Sequence, residues 1–213
     1  MRKRSIFLAV AMIAAACGSP EKMRMEDPVD YVNPLMGTAS TYELSTGNTY
    51  PAIALPWGMN FWTPQTGANG DGWTYTYSAT KIRGLKQTHQ PSPWINDYGS
   101  FSIMPVTTGP VYDEEGRQSW FLHKAETVKP YYYQVYLAEH DVVAELAPTE
   151  RAAAFRLTYP EKEMSYLVVD AYSGGNAEVI GDRLLDREPR RRDREFPKLV
   201  RGGFRHSIRD TNR

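Results

Sequence analysis

The sequence is nearly without cysteine: its 213 residues contain one, Cys17. A lone thiol excludes a disulfide framework and any thiolate zinc site. Histidine is sparse as well. His89, His123, His140 and His206 are scattered, with no pair at ligand spacing, and such residues are usually structural or solvated. No EF-hand loop, internal repeat or long amphipathic helical pattern is present. Net charge is also missing, with 25 basic residues against 25 acidic, but this balance is a sum of unlike parts. Residues 1–25 carry five basic and one acidic side chain, residues 26–180 nine and eighteen, and residues 181–213 eleven and six. An acidic body between basic ends is a poor partner for nucleic acid. Its length suits one domain with a real core.

The opening MRKRSIFLAVAMIAAACGSP reads as an export signal. Arg2, Lys3 and Arg4 form the charged region, Ile6 to Ile13 is apolar, and three alanines lead into Cys17. The apolar run is too short to span a bilayer of about 30 Å. Small residues ending in Cys resemble a bacterial lipobox, which makes Cys17 the expected lipidation site after removal of residues 1–16. The competing reading is an ordinary secretory signal with Cys17 near its cleavage point. Residues 17–26 then form a polar tether, and the expected location is the outer membrane, on its periplasmic or cell-surface face.

From Asp27 to about residue 180 the pattern has period two, the mark of strands. Trp73, Tyr75 and Tyr77 alternate with Thr74, Thr76 and Ser78, and Phe101 and Ile103 with Ser100 and Ser102. Tyr131, Tyr133, Val135 and Leu137 share a face, as do Ala153, Phe155, Leu157 and Tyr159. Tyr166 to Val169 suits a strand buried on both faces. Turn signals intervene at Asn69 to Gly72, Thr108 to Pro110, Glu115-Gly116, Pro148 and Pro160-Glu161. The expected fold is an all-β antiparallel sandwich. Glu114 and Glu115 are expected at a solvated hairpin tip, and Trp57, Trp62 and Trp120 in the core or at a domain interface.

Residues 181–213 break character, with ten of the seventeen arginines and no tyrosine or tryptophan. They show neither strand alternation nor a sustained helical face. A basic arm for an anionic partner lacks aromatic platforms and carries interspersed acids. A solvated tail fits better. Out-of-frame translation of a GC-rich gene, which enriches Arg and Gly, fits best.

The segments GNTYPAIALPWGMNFWTPQT (Gly47 to Thr66) and IRGLKQTHQPSPWINDYGSFSIMPVTTG (Ile82 to Gly109) resemble the N-terminal domain of glycoside hydrolase family 92. These are exo-acting, calcium-dependent α-mannosidases. VDYVNPLMGT (Val29 to Thr38) resembles that domain's start, and LVVDAYSGGNAEV (Leu167 to Val179) a later strand of it. Trp57 stands where many members have Phe, and Gln87 to Pro93 where many have a His-Thr-His-Leu-Ser run. The resemblance implies a galactose-mutarotase-like supersandwich over residues 27–180, incomplete at its C-terminal end. It also implies a partner, the helical (α/α) toroid that carries the family's catalytic carboxylates and most ligands of its Ca2+. No catalytic residue is therefore assigned in this chain, and no metal is expected in it.

Could the body supply its own chemistry? Asp71 and Asp97 are the only carboxylates in suitable loops, and turn formation is the commoner role for such residues. Sugar recognition fits better, because a pyranose offers an apolar face to an aromatic ring and hydroxyls to planar polar groups. Trp73, His89, Gln90, Trp94, Asn96 and Asp97 have that inventory. On periodicity alone, Trp73 reads better as a half-buried strand aromatic. The prolines at 91 and 93 stiffen a loop that displays a His, a Trp and an Asp together. The expected function is an N-terminal domain of an exported α-mannosidase of α-1,2 type, acting on mannose-containing glycans by inversion and inactive without its toroid. The alternatives are a non-enzymatic, glycan-binding surface lipoprotein, or a product with no stable fold.

Overall fold

The computed structural model describes residues 27–39, 49–69, 74–88, 101–107, 109–161 and 164–171, and the backbone of 177–180, 183–186 and 201–203. The chain divides into two units, residues 1–32 and 33–213. In the first, Asp27 accepts the Val29 amide at 3.3 Å and caps one 3-10 turn, Pro28–Tyr31.

The second unit is built on two four-stranded antiparallel sheets. Its strands in chain order are β1 (Phe61–Gln65), β2 (Lys81–Ile82), β3 (Gly84–Thr88), β4 (Ser102–Val106), β5 (Ser119–Trp120), β6 (Glu126–Lys129), β7 (Tyr132–Leu137), β8 (Val142–Pro148), β9 (Ala153–Thr158) and β10 (Tyr166–Asp170). One sheet has the order β1-β3-β4-β10 and the other is the meander β6-β7-β8-β9. Tyr133, Val135 and Leu137 are buried in β7, as the alternation requires. β9 alternates likewise, with Ala153, Phe155 and Leu157 packed on the core. From the facing sheet come Trp62, Leu85 and Ile103. Trp62 meets Phe155 edge-on at 4.8 Å between ring centroids, joining the sheets. Burial of each such side chain contributes about 1.5–3 kcal/mol.

The outer flank of β1 is closed in two ways. Ile53 exchanges both backbone bonds with Trp62, at 2.8 and 3.0 Å. Pro64, at the next outward position, has no N–H to offer.

Several expectations are corrected. Residues 74–80 form no strand: the Thr74 carbonyl accepts the Thr66 and Gly67 amides, and the chain turns between Thr76 and Ala79. Glu114 and Glu115 do not mark a hairpin tip. They open a single helical turn, α1 (Glu114–Arg117), because Asp113 caps it by accepting the Gly116 amide at 2.6 Å. Pro148 is the last residue of β8, paired with Ala153, and the turn follows it. In β10 only Val168 is buried, because the strand lies at the edge of the described sheet. Beyond residue 180, β12 (Arg183–Asp186) pairs with β11 (Ala177–Ile180) and with β13 (Arg201–Gly203), so part of the Arg-rich segment is strand.

β4 is buried on both faces, although its serine reads as solvent-facing. Thr63, Lys86, Ser102 and Asp170 are successive cross-strand partners and so share the face opposite Trp62. Thr63, Lys86 and Ser102 are buried. Reaching into the same region, Arg117 donates to Asp170 at 2.5 Å, to the Tyr112 carbonyl at 2.7 Å and to the Arg83 carbonyl at 3.2 Å.

On the outer face of the meander, Arg156 makes two bonds to Glu145, which also accepts the Tyr132 hydroxyl at 2.6 Å. The Arg156 bonds, and then the Tyr132 bond, hold the Glu145 carboxyl below its usual range. A depressed folded value adds stability that is complete above the unfolded carboxylate range and lost as pH falls through the folded value. Because the Arg156 side chain is 76% exposed, that gain is small. In a carboxyl 13C NMR titration, Glu145 should titrate below the exposed glutamates and move up in Arg156→Met. An unmoved value in the variant would remove Arg156 as the cause.

Candidate functional site

β1 and β3 run antiparallel, with Phe61 opposite Thr88 at one end and Gln65 opposite Gly84 at the other. Four strand steps of about 3.3 Å put these ends about 13 Å apart. The segment holding His89, Gln90, Trp94, Asn96 and Asp97 follows Thr88, whereas the segment holding Trp73 follows Gln65. The strands therefore anchor the two halves of the sugar-recognition inventory at opposite ends. Those six residues, together with Asp71 and Cys17, lie outside the described residues.

At the Gln65 end the anchors of the Trp73 segment are polar and dense. The Asn69 amide donates to both Glu114 oxygens at 2.9 Å, and its side chain donates to Asp170 at 2.8 Å. Gln65, fully buried, donates to the Gly67 carbonyl and Asn69 at 3.0 Å and to Glu114 at 3.1 Å. Arg117 joins the same two carboxylates, 3.9 Å from Glu114. Thr74, on the far side of residues 70–73, is tied back to Thr66 and Gly67.

The Thr88 end is different in character. Residues 54–60 cross it and are pinned to the β6–β7 and β8–β9 hairpin tips of the meander. Ala54 donates to the Pro130 carbonyl at 2.8 Å, Met59 to the Glu150 carbonyl at 2.6 Å, and the Asn60 side chain to the Thr149 carbonyl at 3.0 Å. Asn60 in turn accepts the Trp62 indole N–H at 2.7 Å. Between these ties Trp57 has φ 62° and is 98% exposed, beside Met59 at 64%. Space is tight at Gly58, where an added Cβ would stand 3.0 Å from the Leu55 carbonyl oxygen and push the turn outward by a few tenths of an ångström. Tyr50 is buried at this end. Burial pushes its phenol well above the usual value, with a Thr88 hydrogen bond opposing.

The three tryptophans read together in the sequence thus separate. Trp62 is core, Trp120 is half-exposed under Lys81 at 4.7 Å, and Trp57 is 98% exposed. Of the two positions expected for Trp57, core or domain interface, its exposure excludes the core. The sequence signal for the turn was Pro-Trp-Gly, a turn tripeptide with a large aromatic at its centre. His140 is buried against the Arg117 carbonyl at 2.8 Å. His123 stacks on Tyr77 and contacts Glu126 at 2.7 Å. Among the described residues, no three His, Cys, Asp or Glu side chains group for a metal ion.

The glycosyl hydrolase family 92 N-terminal domain model matches residues 31–193, running past the change in composition near residue 180. No curated protein sequence matches the chain. Among solved structures, the chain is 52% identical to the family GH92 inverting mannosidase BT2199 from Bacteroides thetaiotaomicron, with a TM-score of 0.69 over 74% of this chain and 22% of that one. It is 28% identical to the family GH92 α-mannosidase BT3965 from the same organism, with a TM-score of 0.65 over 76% and 24%. BT3965 has also been solved in complex with mannoimidazole. The chain spans less than a quarter of the length of either mannosidase. With the ordered motifs, the sandwich and the family match in agreement, the chain belongs to glycosyl hydrolase family 92, whose N-terminal domain it carries.

Proposed function

We propose that the chain serves as the sugar-facing wall of an exported α-mannosidase that removes terminal mannose from glycans by inversion, with α-1,2 preference. The observation that carries this reading is 52% identity to an inverting family 92 mannosidase. Inversion requires a carboxylic acid at the leaving oxygen and a carboxylate that activates water, about 6.5–9.5 Å apart. The buried or half-buried carboxylates described in this chain are otherwise engaged. Glu126 takes the Tyr133 hydroxyl and His123, Glu145 takes Arg156, and Glu114 and Asp170 take Asn69 and Arg117. By the family resemblance, the chemistry is assigned to carboxylates outside this chain, and binding and orientation to this one. Export with lipidation at Cys17 belongs to the same proposal, on the strength of the charged and apolar opening.

Calcium enters the proposal only for the whole enzyme. Arg117 stands between the two carboxylates that share Asn69, where its guanidinium supplies the positive charge a cation would bring. The described residues do not fit a calcium site, and no step is routed through one. The test uses the chain alone. With 4-nitrophenyl α-D-mannopyranoside and calcium it should release no nitrophenol, while methyl α-D-mannopyranoside should bind. Turnover by the chain alone would overturn the division of labour. Absence of mannoside binding would overturn the recognition role.

A further inference from the structure

We infer that Trp57 is a pyranose-stacking platform, a sugar contact separate from the inventory at Trp73 and His89 to Asp97. The inference deepens the mannoside-recognition reading above and rests on it. Three observations meet at this residue.

The first is presentation. An indole has a large apolar face, and the one on Trp57 is 98% exposed. A neutral pyranose has a matching apolar face and stacks on such a ring, leaving its hydroxyls for polar neighbours. The turn that holds Met59 supplies exposed Glu150 and Arg151.

The second is strain. A bulky residue at φ 62° is a genuine outlier, since its Cβ crowds the following carbonyl. Glycine would occupy the position without that penalty. Strained backbone persists where its surroundings over-determine it, and such positions concentrate at ligand contacts. A large aromatic held there, with no burial to repay it, fits a residue kept for what it touches.

The third is rigidity and place. Backbone and side-chain bonds fix both flanks of the turn to the Pro130 and Thr149–Glu150 tips, and the Gly58 amide closes it on the Leu55 carbonyl at 3.0 Å. The ring is thus carried on a rigid mount, which lowers the entropy lost on binding. The mount stands at the same end of β1 and β3 from which the His89 to Asp97 segment leaves. Among the described residues, the other exposed aromatics lack this combination: Tyr112 and Trp120 are exposed, but neither has positive φ.

The experiment is an indole N–H NMR titration of the full chain with methyl α-D-mannopyranoside, with the Trp57 resonance identified by its loss in Trp57→Phe. The expected result is a saturable shift of that resonance, at least tenfold weaker binding in Trp57→Ala, and binding largely kept in Trp57→Phe. A thermal midpoint for Trp57→Ala within a few degrees of the parent confirms that the variant folds. If the parent binds and Trp57→Ala binds equally well, the platform is wrong and mannoside recognition stands. If the parent does not bind mannoside, the recognition reading falls and takes the platform with it. A Trp57 shift that follows protein concentration without sugar overturns the platform in favour of a protein contact.

Discussion

Arg117→Met is expected to destabilise the chain by about 3–5 kcal/mol, the cost of removing one partner of a buried ion pair. The side chain is fully buried and satisfies the Tyr112 and Arg83 carbonyls as well as Asp170. Methionine fills most of the volume but leaves the Tyr112 and Arg83 carbonyls without the guanidinium and the Asp170 carboxylate with the Asn69 side chain but no cation. For a chain of this size the melting temperature should fall by on the order of 10 °C. Urea denaturation of the parent, Arg117→Met and the double variant with Asp170→Asn measures the effect. The double variant should recover part of the loss, since the uncompensated charge is gone. A single-variant loss below about 1 kcal/mol would mean that water replaces the guanidinium at Asp170.

Trp62→Ala should cost a similar amount, about 3–5 kcal/mol, for a different reason. The ring is 5% exposed and fills the space between the sheets, edge-on to Phe155 at 4.8 Å and to Phe101 at 5.8 Å. Alanine leaves a cavity and also orphans the Asn60 oxygen, which accepts the indole N–H. Trp62→Phe separates the two contributions. It keeps much of the packing and loses only the hydrogen bond, an effect of about 1–3 kcal/mol. Chemical denaturation of both variants checks the ordering, and a phenylalanine variant as unstable as the alanine one would refute it.

The meander was legible because its alternation is local. Tyr133, Val135 and Leu137 point inward for the same reason that Phe155 and Leu157 do: strand geometry repeats every two residues. Tyr75 and Tyr77 share that pattern without a strand, because the Thr74 carbonyl is taken by Thr66 and Gly67 and no ladder can form there. Ser102 reads as solvent-facing, and its burial comes from non-local chain, with Asn69, Glu114 and Arg117 gathered at Asp170, its cross-strand partner. Local pattern carries no information about such coverage. The helical turn at Glu114 was available in principle, since Asp113 before two glutamates is a capping signal. The domain was legible through motif resemblance, which the family match supports over residues 31–193, whereas the sugar-recognition residues named from the sequence lie outside the described residues. The exposure and positive φ of Trp57 were not legible, because they depend on how distant hairpin tips grip the turn.

The closure of the β1 flank bears on how the chain can self-associate. An open sheet edge invites another chain to add a strand, the first step towards domain swapping or fibrils. On β1 the outward groups of Trp62 are already spent on Ile53, and Pro64 cannot donate to an incoming strand. Aggregation by strand addition is therefore blocked along this edge without any protective charge. Clumping of the chain at high concentration would have to proceed through exposed side chains, of which Trp57 and Met59 are the most prominent at the neighbouring turn.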